Sequence, residues 1–269
     1  MNISHMSVSR HSVIELCEQQ YKYKYHLKTE SLEPEPFYFI YGKIFHKIAE
    51  EYVLNKGERP LPEITKAVLN GEIIIEEQNG QPVYAPTLPN NYRNRMGEHL
   101  RNLKNLTDQL GYDGHTEYDF EYDLDPPNHK NLVGFIDRLF QKGDNWYIID
   151  YKTTQRGPYR KNEKTISSDL QLRCYGKVVQ RDFGVKAENI RAALYYVEGG
   201  NLIGTTFTQA SLDAAEEELR QSYLAIEAKN PDVVTGNVGD HCNRCNWRKM
   251  CPFFRATKNY EQSNSSYFS

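Results

Sequence analysis

The chain has 269 residues, with 33 Lys and Arg against 36 Asp and Glu, which gives a net charge of −3. This balance excludes a globally basic nucleic-acid coat protein, so any nucleic-acid binding would need a local basic patch. No apolar run is long enough for a membrane helix, no secretory signal is visible, and five cysteines are too few for a secreted disulfide scaffold, so we expect an intracellular, cytoplasmic protein (in the host cytoplasm if viral).

Hydrophobic periodicity predicts two helices in the first half of the chain. Residues 41–56 place Ile44, Ile48 and Tyr52 on one stripe, and residues 91–110 show a similar stripe. A glycine follows each of them and is expected to end the helix. Residues 57–90 are rich in Pro, Gly and Asn, and they predict no element.

The second half of the chain predicts a mostly antiparallel sheet with helices around it. Strict alternation of apolar and polar residues over 117–124 is typical of a half-exposed strand. The remaining predicted elements are strands at 131–140 and 146–153, a helix from Ser168 and Asp169 to Phe183, strands at 190–197 and 202–207, and a helix at 212–228. This order indicates an α/β (α+β) fold.

The hairpin at residues 134–153 brings charged side chains together. If its turn centres between Gly143 and Asp144, Asp137 lies directly opposite Asp150, and Lys152 lies on the same face. Two opposed carboxylates repel each other unless a cation stands between them, and Mg²⁺ or Mn²⁺ would meet that need. The alternative is an ordinary ion pair on a solvated face, and an error of one residue in the turn would remove the pairing.

Two helical pairs are weaker signals. His46 shares a helix face with Glu50, and Gln171 shares one with Tyr175, in each case with i, i+4 spacing. An ordinary helix surface explains either pair equally well when it is considered alone.

Three cysteines near the end of the chain, Cys242, Cys245 and Cys251, have the spacing of a metal-binding segment. A fourth ligand would come from Cys17 or Cys174. Cys174 falls on the apolar stripe of a predicted helix, which suits a small buried side chain, so Cys17 is the better candidate. The spacing leaves zinc, an iron–sulfur cluster and free thiols open.

Taken in order, these motifs resemble the RecB-like branch of the PD-(D/E)XK nuclease superfamily. The resemblance is closest to its iron–sulfur members, such as the CRISPR-associated RecB-like exonucleases and the AddB nuclease domain. It rests on the N-terminal segment with Cys17 and YKYKY (21–25), GKIFH (42–46), GFIDR (134–138), DYK (150–152), QLRCY (171–175) and the last three cysteines.

The resemblance implies a role for each matching residue. His46, Asp137, Asp150 and the carbonyl of Tyr151 would bind Mg²⁺ or Mn²⁺, and Lys152 would position or activate the attacking water. Gln171 and Tyr175 would complete the catalytic set along the nucleic-acid path. Cys17, Cys242, Cys245 and Cys251 would hold a 4Fe-4S cluster, which the resemblance favours over zinc. Glu50 and Glu117 fall near acidic positions of the family without a firm role.

The resemblance also implies a fold and an activity. We expect one nuclease domain over residues 1–269, with a restriction-endonuclease-like core at about 38–230. Its central mixed sheet would be flanked by helices, the cluster would join segments 7–30 and 238–256, and residues 259–269 would form a flexible tail.

The expected activity is that of a metal-dependent exonuclease on single-stranded DNA, in recombination, repair, replication or CRISPR-adaptation-like processing. A helicase, a recombinase or another complex subunit is an expected partner. Nucleic-acid contacts are expected from Arg138, Arg156, Tyr159, Arg160 and Lys161. The alternatives are a non-catalytic iron–sulfur module that binds DNA or supports assembly, and a subunit that trims DNA only within a larger complex.

Overall fold

The computed structural model describes residues 1–78, 80–153 and 160–257. The chain packs as two compact units. The first contains Met1–Glu35, Glu121–Gly134 and the described residues from Glu216 onward, and the second contains Pro36–Phe120 and Phe135–Ala215. The single domain over residues 1–269 stays a prediction, and the expected flexible tail at 259–269 lies outside the described residues.

The described residues begin with helices, and strands and further helices are interspersed after them. The helices are α1 (Val8–Leu16), α2 (Glu18–Tyr21), α3 (Phe37–Leu54), α4 (Leu61–Leu69), α5 (Asn90–Leu110), α6 (Leu170–Phe183) and α7 (Gln209–Ala228). The strands are β1 (Glu76–Gln78), β2 (Gln81–Val83), β3 (His115–Asp123), β4 (Asn131–Lys142), β5 (Asn145–Lys152), β6 (Ile190–Tyr196) and β7 (Asn201–Thr206). A π-helical segment, Lys22–His26, follows α2.

Five strands form a mixed sheet in the order β3-β4-β5-β6-β7, and β1 pairs with β2 separately. The β4–β5 and β6–β7 pairs are antiparallel, whereas β5 and β6 run parallel because α6 provides the crossover between them. A mixed sheet flanked by helices fits the expected restriction-endonuclease-like core.

The β4–β5 hairpin has the register that its turn sequence predicts. Paired residues run from Lys142 opposite Asn145 to Arg138 opposite Ile149. Gly143 has a positive φ of 60°, which glycine adopts without strain in so tight a turn. The ladder ends at this pair, one residue short of Asp137 and Asp150.

In the second unit, helices cover the sheet from the side of Tyr151. The predicted stripe of α3, Ile44, Ile48 and Tyr52, is buried in one apolar cluster that also contains Leu103 of α5. The fully buried His99 lies on α5 among these apolar residues, and its Nδ1 is 2.7 Å from the hydroxyl of Tyr41.

Helix α6 begins and ends as its sequence predicts. The side chain of Asp169 accepts a hydrogen bond from the backbone N–H of Leu172, which caps the first turn. Gly184, with φ 65°, ends the helix in a left-handed conformation. At Gly176 a Cβ atom would come within 2.9 Å of the Leu212 side chain, so a larger residue there would require that side chain of α7 to shift.

Two regions without predicted elements contain short ones. Helix α4 buries Leu61, Ile64 and Val68 within residues that the Pro and Gly content had left unassigned. The N-terminal residues form α1, capped by the side chain of Ser7, although their apolar pattern is weak. Packing within each unit stabilises these helices more than their own periodicity does.

The first unit ties the beginning of the chain to later segments. The amino group of Met1 donates a hydrogen bond to the carbonyl of Ile226, and Met6 forms a parallel bridge with Leu132. Lys130 pairs with Glu227 at 2.6 Å. Within the described ranges, none of the helices combines the length and the apolar character that crossing a bilayer requires.

Candidate metal centre and cysteine cavity

Helix α3 presents His46 to two carboxylates. Its Nδ1 lies 3.3 Å from Asp137 Oδ1 and 3.6 Å from Glu117 Oε1. The apolar stripe of α3 faces the core, so His46 points away from that stripe, and its side chain keeps 30% exposure. Burial alone would lower the pKa of His46, but the charges of Asp137 and Glu117 raise it well above its usual value.

Asp137 connects the two strands of the hairpin through its side chain. Its Oδ2 accepts a hydrogen bond of 2.6 Å from the backbone N–H of Tyr151, and its Oδ1 faces His46. Burial would raise the pKa of Asp137, but His46, Lys152 and the Tyr151 N–H hold it below its usual value. The carboxylate is therefore ionised, buried and aimed at His46.

Glu117 completes a group of three possible ligands with His46 and Asp137. One ligand atom from each residue lies within 4.8 Å of the other two, and no other group of three His, Cys, Asp or Glu residues in the described part of the chain is this close. Glu117 sits in β3 with a positive φ of 46°, a conformation that costs a non-glycine residue about 1–3 kcal/mol. The backbone is thus strained where this carboxylate meets the histidine.

Glu117 is only weakly indicated by the sequence, because alternation places it on an ordinary polar face. The other acidic candidate, Glu50, pairs with Lys47 at 2.9 Å.

Asp150 and Lys152 form the second half of the site, at the carboxyl end of β5. Asp150 is only 2% exposed, and the ammonium of Lys152 lies 2.6 Å from its Oδ2. Burial raises the pKa of Asp150 to about 6, although Lys152 opposes the shift and Asp137 adds to it. Burial would lower the pKa of Lys152, but the charge of Asp150 raises it, so the lysine is protonated.

Helix α6 orients Lys152 from the same side of the sheet. Lys152 Nζ donates a hydrogen bond of 2.9 Å to Gln171 Oε1, and Gln171 Nε2 lies 2.7 Å from the hydroxyl of Tyr175. Tyr175 is 5% exposed and packs against Phe120. Asp150, Lys152, Gln171 and Tyr175 thus form one connected polar chain.

These residues fit a hard divalent cation. A cation between His46, Glu117 and Asp137 would replace the proton that the carboxylates now stabilise on the imidazole. The buried Oδ2 of Asp150 has an ion pair but receives no hydrogen bond of good geometry from the described residues, so it retains a free lone pair. Carboxylate oxygens and an imidazole nitrogen suit Mn²⁺, and the carboxylates alone suit Mg²⁺.

The first unit holds a separate cavity lined by four cysteines. Cys17, Cys242, Cys245 and Cys251 all face it. Their sulfurs are free of disulfides, and no three of them lie within 4.8 Å of one another in the described chain. Tetrahedral zinc would hold any two thiolate sulfurs about 3.8 Å apart, so the cavity is wider than a preformed zinc site.

The fifth cysteine, Cys174, lies in α6 of the second unit. It is 2% exposed, and burial raises the pKa of its thiol to about 12. It therefore behaves as a small core residue, as its position on the apolar stripe predicts.

The expected nucleic-acid contacts have different outcomes. The expectation for Arg138 is wrong, because this residue is 2% exposed and its guanidinium donates to the carbonyls of Gly111 and Asp113. Of the other four residues, Arg160 and Lys161 are described by the structure. Arg156 and Tyr159 lie outside the described residues.

Arg160 and Lys161 both contact Tyr196, on the strand next to β5. The guanidinium of Arg160 is 4.5 Å from the ring centroid of Tyr196, and the backbone N–H of Lys161 donates to the Tyr196 hydroxyl. Tyr196 in turn pairs with Lys152 across β5 and β6. Both basic residues therefore stand one strand away from the catalytic lysine candidate.

Comparisons with known proteins agree with this geometry at the level of the family. No curated protein matches the chain in sequence. A solved structure titled "Crystal structure of SSO0001" is 12% identical, covers 90% of this chain and 96% of that chain, and has a TM-score of 0.38, too low to support any inference. The profile of the PD-(D/E)XK nuclease superfamily matches residues 5–252, so the chain belongs to that superfamily of metal-dependent nucleases.

Proposed function

We propose that the protein is a Mg²⁺- or Mn²⁺-dependent deoxyribonuclease that acts as an exonuclease on single-stranded DNA. The observation that carries this proposal is the convergence of two charged groups of residues at the end of β5. His46, Glu117 and Asp137 form one group, and Asp150 with Lys152 forms the other. We assign this activity to the RecB-like branch of the superfamily.

The metal would be held by His46, Asp137, Asp150 and the carbonyl of Tyr151, with Glu117 as a further ligand. When bound, it would polarise the scissile phosphate and lower the pKa of a water molecule. The ammonium of Lys152 orients that water and compensates the charge that develops on the phosphate. Gln171 and Tyr175 hold Lys152 in place through their hydrogen bonds.

Several basic residues support DNA as the substrate. Arg160 and Lys161 lie beside Tyr196, next to the strand that contains Lys152, and can contact a phosphate backbone approaching the site. The aromatic surplus of the chain, 20 Tyr and 11 Phe, favours a single strand, whose unpaired bases can stack. A helicase, a recombinase or another complex subunit would supply the single strand in the cytoplasm.

A nuclease assay tests the proposal directly. Single-stranded and double-stranded oligonucleotides, labelled at either end, are incubated with the protein and Mn²⁺, Mg²⁺ or EDTA. We expect metal-dependent release of short products from the single strand and none in EDTA. Internal cleavage without end dependence would contradict the exonuclease assignment, and intact DNA in every metal would contradict the nuclease itself.

We further propose that Cys17, Cys242, Cys245 and Cys251 hold a 4Fe-4S cluster. They face one cavity, and their spacing is too wide for a preformed zinc site. A four-iron cube separates its thiolates more than a single ion does. The cluster would join the segments at residues 7–30 and 238–256 and stabilise the first unit.

Iron content after anaerobic purification tests the cluster. We expect about four irons per chain and a brown colour, both lost in Cys17→Ser and retained in Cys174→Ser, which is the matched control. One equivalent of zinc and no iron would show that the cysteines bind zinc, the less favoured occupant, and not a cluster. Unchanged iron in Cys17→Ser would show that this cysteine is not a ligand.

A second candidate function is a non-catalytic module that binds DNA or supports assembly. The buried Asp150 speaks against it, because a charged group of raised pKa costs stability and has no use without a metal. The nuclease assay separates the two functions, since the module would bind DNA without degrading it.

A further inference from the structure

Two phenylalanine rings near the candidate metal centre are exposed to solvent. Phe39 on α3 is 55% exposed and Phe135 on β4 is 54% exposed. Burying a phenylalanine is favourable, so a flat apolar partner seated on either ring would be stabilised. Both residues belong to the second unit, which also contains His46 and Asp137.

Phe39 lies on the same face of α3 as His46. Seven residues separate them, which is close to two helical turns and places Phe39 about 10 Å from His46 along the helix axis. Gly42 lies between them on this face, and a Cβ there would be 3.5 Å from Thr153 Oγ1. Gly42 leaves one side of this midpoint without a side chain, and Lys43 occupies the other side.

Phe135 approaches the centre along β4. It precedes Asp137 by two residues, so both side chains point to the same face of the sheet, about 7 Å apart along the strand. The β4–β5 pairing ends at Arg138 and Ile149, so Phe135 lies on the part of β4 that extends past the paired ladder. Its ring is thus placed near the centre through Asp137, two residues along the same strand.

The charges around Phe39 are largely balanced. Lys43, on the same face, forms an ion pair of 2.8 Å with Glu76. Tyr38 adds a second ring, 37% exposed, with its centroid 4.5 Å from that of Phe39. A surface of exposed rings with paired charges suits flat, uncharged groups better than phosphates.

We propose that Phe39 and Phe135 are stacking subsites for unpaired bases of the strand that is cleaved, a proposal that rests on the proposed nuclease function. Phe135 would hold the base next to the scissile phosphate. Phe39 would hold a base about three stacked nucleotides away, at 3.4 Å per nucleotide. Paired bases cannot offer their faces to the rings, so these subsites select single strands.

The test measures binding of a fluorescent single-stranded oligonucleotide in EDTA, where no hydrolysis occurs. Stacking on one ring changes affinity by about 5- to 150-fold, so we expect Phe39→Ala and Phe135→Ala each to weaken binding about ten-fold. Phe→Tyr at each position should restore the affinity to within about two-fold. Duplex affinity and the slope of affinity against salt should not change, because the rings do not contact phosphates.

Leu54→Ala is the matched control. Leu54 is 59% exposed at the other end of α3, and this variant should bind like the wild type. A series of oligonucleotides with one abasic site locates each subsite. An abasic site at one position should weaken binding to the wild type but cause no further loss in Phe39→Ala. An abasic site at a different position should weaken binding to the wild type but cause no further loss in Phe135→Ala.

The proposal is overturned if both alanine variants bind single strands like the wild type, or if they lose duplex and single strand equally. A change in self-association without a change in DNA binding would also overturn it, since the rings would then cover an interface between copies. Cleavage of bis(p-nitrophenyl) phosphate with Mn²⁺ separates a failure of the proposed nuclease function from a failure of the stacking proposal. Turnover of this diester by the wild-type protein tests the nuclease alone: no turnover would count against the proposed nuclease, whereas the binding measurements in EDTA decide the stacking subsites.

Discussion

Replacing Asp150 by Asn should make the metal-free protein more stable and inactive at the same time. Asp150 is 2% exposed, and burial raises its pKa from 3.8 to about 6. A shift of that size corresponds to roughly 3 kcal/mol by which ionisation disfavours the folded state at neutral pH. Asn resembles the protonated carboxyl in shape and removes this penalty.

The pH dependence of the gain has a definite sign. The unfolded carboxyl titrates near 3.8 and the folded one near 6, so wild-type stability falls as the pH rises through this window. The difference between Asp150→Asn and wild type should therefore be small at pH 4 and reach about 3 kcal/mol by pH 7. Urea unfolding in EDTA at several pH values measures it.

Metal should reverse the order of the two proteins. A cation bound at 1,000 times its Kd stabilises the wild type by about 4.1 kcal/mol, which exceeds the roughly 3 kcal/mol gained by Asp150→Asn; this variant loses a ligand and with it most of the stabilisation by metal. Cleavage of single-stranded DNA should fall to background. Asp119→Asn, the same change at an exposed position of β3, should leave stability and cleavage unaltered.

Two results would refute this reasoning. Wild-type cleavage by Asp150→Asn would show that the carboxylate is not part of the centre. A loss of stability in EDTA at pH 7 would show that its ion pair with Lys152 is worth more than the desolvation it costs.

Three further changes test other parts of the structure. Glu117→Gln should weaken Mn²⁺ binding at least ten-fold by calorimetry, and unchanged affinity would remove Glu117 from the ligand set. Tyr175→Phe should lower kcat about ten-fold with little change in KM, because Gln171 loses its hydrogen-bond partner and Lys152 is then no longer held in position. A change in KM alone would contradict this positioning role. Burial lowers the pKa of His99, so the stability of the wild type should decrease as the pH falls below about 6.5. The substitution His99→Asn should flatten this dependence of stability on pH by up to about 1.4 kcal/mol per pH unit. Equal slopes in the two proteins would mean that His99 titrates as in the unfolded chain.

The β4–β5 hairpin shows how far local sequence reaches. A two-residue turn at Gly143 and Asp144 fixes the register, and the register fixes which side chains face each other. The pairing of Asp137 with the backbone of Tyr151 and the proximity of Lys152 to Asp150 follow from that turn. Helix α6 is similar, since Asp169 and Gly184 determine where it begins and ends.

Arg138 and Glu117 show where local reasoning fails. Arg138 sits in a strand beside Asp137, and its charge indicated a contact with DNA. Its Nη2 instead donates to the carbonyls of Gly111 and Asp113 in the interior. Glu117 looked like one of several exposed acidic residues, and only the approach of α3 to β3 gives it a histidine partner.

The amino-acid order by itself determined the features that depend on neighbours a few residues apart. These are the pairing of the β4–β5 hairpin, the helix caps and the spacing of the last three cysteines. Tertiary structure decided which distant residues meet: it adds Glu117 to the candidate metal centre and brings Cys17, which the sequence already favoured over Cys174, to the cysteine cavity. The physical reason is that turns and caps depend on short-range sterics and hydrogen bonds, whereas a ligand set depends on how whole elements pack.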